Sequence, residues 1–231
     1  MSDTLTNFRA RIRRRLDETT ARFWLDADLD AWINEGARDI ARRSEVLQAT
    51  TTINSTSGTQ SYSLPTNVHR IHRVEWSRDG STGSSIQTLE YRDFNSMDGV
   101  WWSQQKTSRG DPYWFTMWGF PPSLNMIVYP TPDVSVTAGF NVYYYRIPTT
   151  ATNGSDTVEV PAGWDDLVDE YCEYMAMRKD ANPSWVDAKT IYEQKLANMI
   201  ETTRRWTDQA DAIQSRGGPL PRWIWDPGYG G

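Results

Sequence analysis

Five arginines fall within seven positions, from Arg9 to Arg15 in the run "RARIRRR", and they are the densest concentration of charge chemistry in the sequence. On a helix, Arg9 and Arg13 share one edge and Arg11 and Arg15 another, leaving Phe8, Ile12 and Leu16 as a separate apolar stripe. Two readings follow: a solvated helix face, or a surface on which Arg9, Arg11, Arg13, Arg14 and Arg15 meet DNA phosphate or an acidic partner. Other reactive types are sparse. His69 and His72 stand three apart in a strand-like run, a spacing that turns them to opposite faces and suits surface polar residues. Asp165, Asp166, Asp169 and Glu170 belong to the first turns and polar face of a helix, where the macrodipole and solvation account for them. Cys172 sits on an apolar helix stripe as a small hydrophobe. "DGSTGSS" lacks the lysine of a phosphate loop, and no His, Cys, Asp or Glu spacing matches a metal site. The expectation is a protein without catalytic, cofactor or metal residues.

The elements that carry these residues come next. The chain has 231 residues and a formal net charge of −6, which disfavours general binding to nucleic acid. One cysteine permits no internal disulfide, the N-terminal run has no signal-peptide core, and no stretch nears a bilayer-spanning length, so the sequence reads as cytosolic.

Leu5, Phe8, Ile12 and Leu16 predict a first helix ending near Thr20. Leu29, Trp32, Ile33, Gly36, Ala37 and Ile40 predict a second, ending near Ser44, with Asp26 or Asp28 as its cap. From Leu47 to Val160 the β-branched and aromatic runs "HRVEW", "PYWFTMW", "LNMIVYP" and "GFNVYYYRIP" predict antiparallel strands, with "GFPPS" as a hairpin connection. Trp164, Leu167, Val168, Tyr171, Cys172 and Met175 predict a returning helix, broken at Asn182-Pro183. Tyr192, Leu196, Met199, Thr203, Trp206, Ala210 and Ile213 repeat every 3.5 residues, predicting a last helix of about 50 Å over roughly 184–215.

The expected fold class is α+β: a helical bundle from both chain ends (1–45 and 161–215) with an inserted antiparallel β region (46–160), a long C-terminal helix and an extended C-terminal arm (216–231). That arm, "GGPLPRWIWDPGYGG", has prolines where a helix would need donors, yet it carries Trp223, Ile224, Trp225 and Tyr229 as anchors for another surface. The sequence also holds twelve tryptophans and eleven tyrosines, the residue types of interface hot spots. Trp101 and Trp102, adjacent in a β-like run, cannot both face inward, and with Trp206 they are candidates for a subunit interface. The rings of "YWFTMWGF" and "YYYR" are expected mostly in the β core.

Several segments in order resemble the head-to-tail adaptor, or connector, proteins of tailed bacteriophages. The helix motif W-(I/L)-N-E-(G/A)-x-R-(D/E)-(I/L) is matched by Trp32, Ile33, Asn34, Glu35, Gly36, Arg38, Asp39 and Ile40. An extended "LP" is matched by Leu64 and Pro65, and a strand ending P-x-P by Ile127, Tyr129, Pro130 and Pro132. Where that helix usually has a small N-cap, this chain has Leu25. The resemblance implies a structural protein of the virion neck, made in the host cytoplasm. It would form a homo-oligomeric ring of twelve subunits below the portal protein, extending the DNA channel and offering tail or neck proteins their attachment surface. DNA would pass without sequence specificity, and no membrane is involved. Pro219, Leu220, Pro221, Trp223, Ile224, Trp225 and Tyr229 would then form a portal-docking arm. The rival class is a tryptophan-rich carbohydrate- or receptor-binding tail module, its rings stacked on sugars.

Overall fold

The computed structural model describes residues 3–18, 20, 22–80, 85–94 and 108–216, with side chains up to Thr203. Helix α1 spans Leu5–Arg15, α2 Asp26–Ser44, α3 Asp165–Lys179 and α4 Trp185–Arg216. Eight strands lie between α2 and α3: β1 Gln48–Ser55, β2 Ser61–Ser63, β3 Val68–Ser77, β4 Ile86–Thr88, β5 Glu90–Tyr91, β6 Trp114–Trp118, β7 Asn125–Tyr129 and β8 Val136–Arg146. The fold is α+β, with helices from both ends around one core and the strands inserted between them.

Over the described side chains the helical stripes do what their spacing predicts; Trp206, Ala210 and Ile213 of the last stripe lie outside them. Leu5, Phe8 and Ile12 of α1, Leu29, Ile33, Ala37 and Ile40 of α2, Leu167, Val168 and Cys172 of α3, and Tyr192, Leu196 and Met199 of α4 form a single buried cluster. Gly36 is required there by contact: a Cβ at this position would come within 3.0 Å of the Tyr171 ring. Two helix ends differ from expectation. Helix α1 stops at Arg15, and Asp17 then adopts a positive φ of 53°, which turns the chain before Thr20. Helix α2 takes Leu25 as its N-cap, and a leucine side chain has no acceptor for a cap bond; Asp26 and Asp28 lie inside the first turn instead, bonded to Arg13 and Lys179.

The strands form two four-stranded sheets, ordered β1-β8-β3-β4 and β2-β7-β6-β5. All pairs are antiparallel except β5 with β6, which is parallel. The sheets stack face to face over Trp76, Phe140 and Val142 from one and Tyr62, Phe115, Met126 and Val128 from the other. Irregularities in β3, between Val68 and Arg70 and between Ile71 and Arg73, break its alternation. His69 and His72 are both exposed, as surface polar residues.

The segment after β8 ties the sheets to the bundle. Ala151, Val158 and Val160 enter the helical core. Leu5 and Thr6 donate their backbone N–H groups to Asp156 (2.9 Å) and Gly154 (3.0 Å), and Asn7 donates to the Thr4 hydroxyl (3.4 Å), so the free donors of the α1 start are occupied by this segment and its own cap. Asn34, in the middle of α2, clamps the same segment: its Nδ2 donates to the Ala151 carbonyl at 2.9 Å and its Oδ1 accepts from the Ala151 N–H at 2.8 Å. A second Nδ2 hydrogen bond, 2.8 Å to the Asp30 carbonyl, uses the other N–H of this buried amide, so both donors and its oxygen are partnered.

Replacing Asn34 by leucine should orphan both buried backbone groups of Ala151 and cost about 1–3 kcal/mol, read as a lowered urea midpoint with retained helical circular dichroism. Glu159 supplies a second check on this segment. The hydrogen bond from Arg146 (2.6 Å), with another from the Thr149 N–H, holds its carboxyl below the ordinary range against the opposing effect of burial. A depressed acid pKa stabilises above the unfolded value of about 4.3 and loses that contribution as pH falls through the folded one. Glu159→Gln should therefore lower stability at pH 7 and approach the parent as the medium is acidified below about pH 4, measured by urea midpoints across that range.

Candidate assembly surfaces

Helix α1 is joined to the body by charge as well as by its stripe. Arg9 grips Asp30 through two nitrogens, the Nη2 bond at 2.6 Å. Arg13, only 7% exposed, donates through Nη2 to the Asp26 carboxylate at 2.6 Å and to the Trp24 carbonyl at 2.8 Å. On the other edge, Arg11 bonds Asp169 at 2.6 and 3.1 Å and Asp3 at 2.7 Å, while Arg15 reaches Glu170 (3.1 Å) and Glu173 (3.3 Å). The two edges expected from the spacing exist, but each faces acids of this same chain. Arg14 alone of the five makes no ion pair among the described residues; it is exposed, with its Nε on the Ala10 carbonyl.

Asp169 is the residue that the sequence misplaces. Expected on a solvated face, it is 2% exposed and beneath Arg11 and Arg15. Burial opposes the charge of Arg11, yet the bonds to Asp169 and the nearby Asp3 outweigh it and hold the guanidinium charged. Cys172, one helical turn on, is fully buried, and burial pushes its thiol well above the ordinary value, so it stays an unreactive hydrophobe.

The β region carries a different surface. Among the rings of "YWFTMWGF" only Phe115 is buried; Trp118 is 58% and Phe120 86% exposed, contrary to their expected place in the core. The reason is the β6–β7 connection. Gly119 adopts φ 93°, where an added Cβ would meet the Ser123 carbonyl oxygen at 2.7 Å, and Ser123 donates its N–H to the Phe120 carbonyl at 2.8 Å. This tight reversal thrusts Phe120 outward. Trp118 stacks on Phe94 with ring centroids 4.5 Å apart, and Tyr91, also exposed, meets Phe115 edge-on at 5.5 Å. Arg92 covers Trp114 at 4.8 Å, and the Trp114 indole donates to Glu90 at 2.9 Å. Exposed aromatics gathered at one end of a sheet are the material of a binding surface. Trp118 and Phe120 were not singled out by the sequence; the "GFPP" turn beside them was the available signal.

The other sequence-predicted residues divide simply. Trp101 and Trp102, the arm residues Pro219 to Tyr229 and the side chain of Trp206 lie outside the described residues. Among the described residues no cluster of His, Cys, Asp and Glu could hold a metal ion, and no helix is long and apolar enough to cross a membrane.

The helical body is closed by internal ion pairs and carries a β-sandwich with solvent-facing aromatics. The family model for the SU10 adaptor protein matches residues 3–220, and the chain belongs to that family of phage adaptor proteins. No curated protein matches it. The motif quoted for the resemblance is structural in this chain: Trp32, Ile33 and Ile40 are core, Asn34 is the clamp, Gly36 admits Tyr171, and Asp39 accepts the Tyr192 hydroxyl.

Arg11→Gln should leave Asp169 buried and short of its bidentate partner, with a loss of about 1–3 kcal/mol once the partial exposure of Arg11 is discounted. Arg14→Gln should stay within about 0.5 kcal/mol of the parent. Thermal unfolding of the two variants side by side separates a structural arginine from a free one.

Proposed function

We propose that the chain is the head-to-tail adaptor of a tailed phage, forming a ring, of twelve subunits by family resemblance, between the portal and the tail. The observation that carries this reading is the family match across residues 3–220. The exposed aromatic end of the β region supports it, since Trp118, Phe120 and Tyr91 supply apolar area that a protein partner would cover. In this role the ring continues the DNA channel in the virion neck, the β region and the C-terminal arm face neighbouring proteins, and DNA passes without sequence-specific contact. The arm residues Trp223, Ile224, Trp225 and Tyr229 act as anchors on a neighbouring neck protein, and Trp101, Trp102 and Trp206 lie at contacts between subunits. Arg14 is the arginine of α1 left for an acidic partner or DNA.

The test is co-expression with the portal protein of the same phage, followed by negative-stain microscopy and native mass measurement. A ring of this chain seated on one face of the portal is the expected result. A monomer that never joins portal rings, together with retention on a glycan array, would replace this reading by the carbohydrate-binding one. Truncating the side chain of Phe120 to alanine should weaken assembly by tenfold or more while leaving thermal stability within about 0.5 kcal/mol, because an 86% exposed ring contributes little to the isolated fold.

A further inference from the structure

Strand β1 is an open sheet edge of unusual character. In the order β1-β8-β3-β4 it pairs on one side only, with β8. The Arg146 N–H donates to the Leu47 carbonyl at 2.8 Å, which fixes the phase of the ladder: Ala49, Thr51 and Ile53 exchange bonds with β8, and Gln48, Thr50 and Thr52 direct their N–H and C=O groups away from it. Among the described residues nothing bonds those outward groups. Edge strands are ordinarily guarded by charge, proline, bulges or shortness. The other three edges are short, β4 and β2 having three residues each and β5 two. β1 has eight residues, reads "QATTTINS" with neither charge nor proline, and its one irregularity lies beyond Ile53, leaving Gln48–Ile53 regular.

We propose that this edge receives residues 222–226 of a second copy of the chain as an added strand. The argument for that occupant is in the C-terminal sequence. A strand that joins a ladder must offer N–H donors, and "PRWIWDP" holds five consecutive residues, Arg222 to Asp226, between Pro221 and Pro227. The open edge from Gln48 to Thr52 is also five residues long. In an extended strand Trp223 and Trp225 fall on one face and Ile224 on the other, so both tryptophans can lie over the sandwich edge beside Ala49 and Ile53, which already pack against its core. The donor strand leaves one subunit and the acceptor edge belongs to the next, a head-to-tail contact of the kind that forms a ring when the rotation between neighbours closes. The proposal rests on the adaptor reading only in needing a second copy alongside; the portal is not required.

The full chain tests it by disulfide trapping, since Cys172 is buried. A tagged chain carrying Thr50→Cys is mixed with untagged chains carrying Trp223→Cys, Ile224→Cys or Trp225→Cys, and oxidised. A bridge between the two sizes of chain is expected for at least one pairing, with Arg42→Cys in place of Thr50→Cys as the negative control. Thr50→Pro removes an outward N–H without touching the β8 ladder and should reduce trapping through a neighbouring Thr52→Cys at least tenfold. Ile224→Pro and Trp225→Pro should between them do the same, because consecutive donors of an extended strand point to opposite sides. Bridges formed only within one chain when both cysteines are placed on it, or none at any pairing, would each overturn the proposal. None of those results bears on whether the ring seats on the portal.

Discussion

The two hydrogen bonds between Asn34 and Ala151 are the constraint on which the arrangement of the chain turns. An asparagine in mid-helix is a poor helix former, and burying its amide in an apolar cluster is costly unless every donor and acceptor is met. Here they are met, and the partner is the backbone of the segment returning from the sheets, 117 residues away in sequence. Holding Ala151 against α2 brings Gly154 and Asp156 to the start of α1 and Val158 and Val160 into the helical core. The inserted sheets are thereby fixed at both ends of their excursion, at the α2–β1 junction and at this clamp.

Helix α1 shows why charge and packing act together. Eleven residues make a short helix that would be marginal alone, and its buried stripe is only Leu5, Phe8 and Ile12. Surface ion pairs contribute little singly, but Asp169 is out of water and has to be paired. Arg11 and Arg15 meet that need from one edge of α1 while Arg9 and Arg13 hold α2 and its preceding turn from the other. Lys195 joins the layer from α4 through Asp166 and Glu170, so the carboxylates of α3 are shared between the first and last helices.

How much of this was legible depended on the range of the interaction. Helical stripes are set by residues three or four apart, and over the described side chains they were readable in all four helices because burial follows the period directly. The edges of α1 were readable for the same reason. What faced them was not: Arg11 meets Asp169 across 158 positions, and no local pattern marks one acid on α3 as buried and its neighbour as half-exposed. Alternation also failed where the backbone departs from regularity. The irregularities in β3 interrupt its register, and the Gly119 reversal carried Phe120 out of a run that reads as core. The parallel pairing of β5 with β6 depends on a connection that strand propensities do not encode.

The division of labour between the two halves has a further consequence for how such a protein would meet its partners. The helical body consumes most of its local cations internally, and the chain as a whole keeps an excess of six acids over bases. Charge attraction is therefore a weak basis for binding DNA or an acidic surface, and it would fade further with salt. What the β half leaves open is of another kind: solvent-facing aromatic rings at the β6–β7 reversal and an uncharged, unpaired row of backbone groups along β1. Both act by contact and desolvation, which ionic strength scarcely screens. Contacts built on them would depend on shape and desolvation rather than on charge.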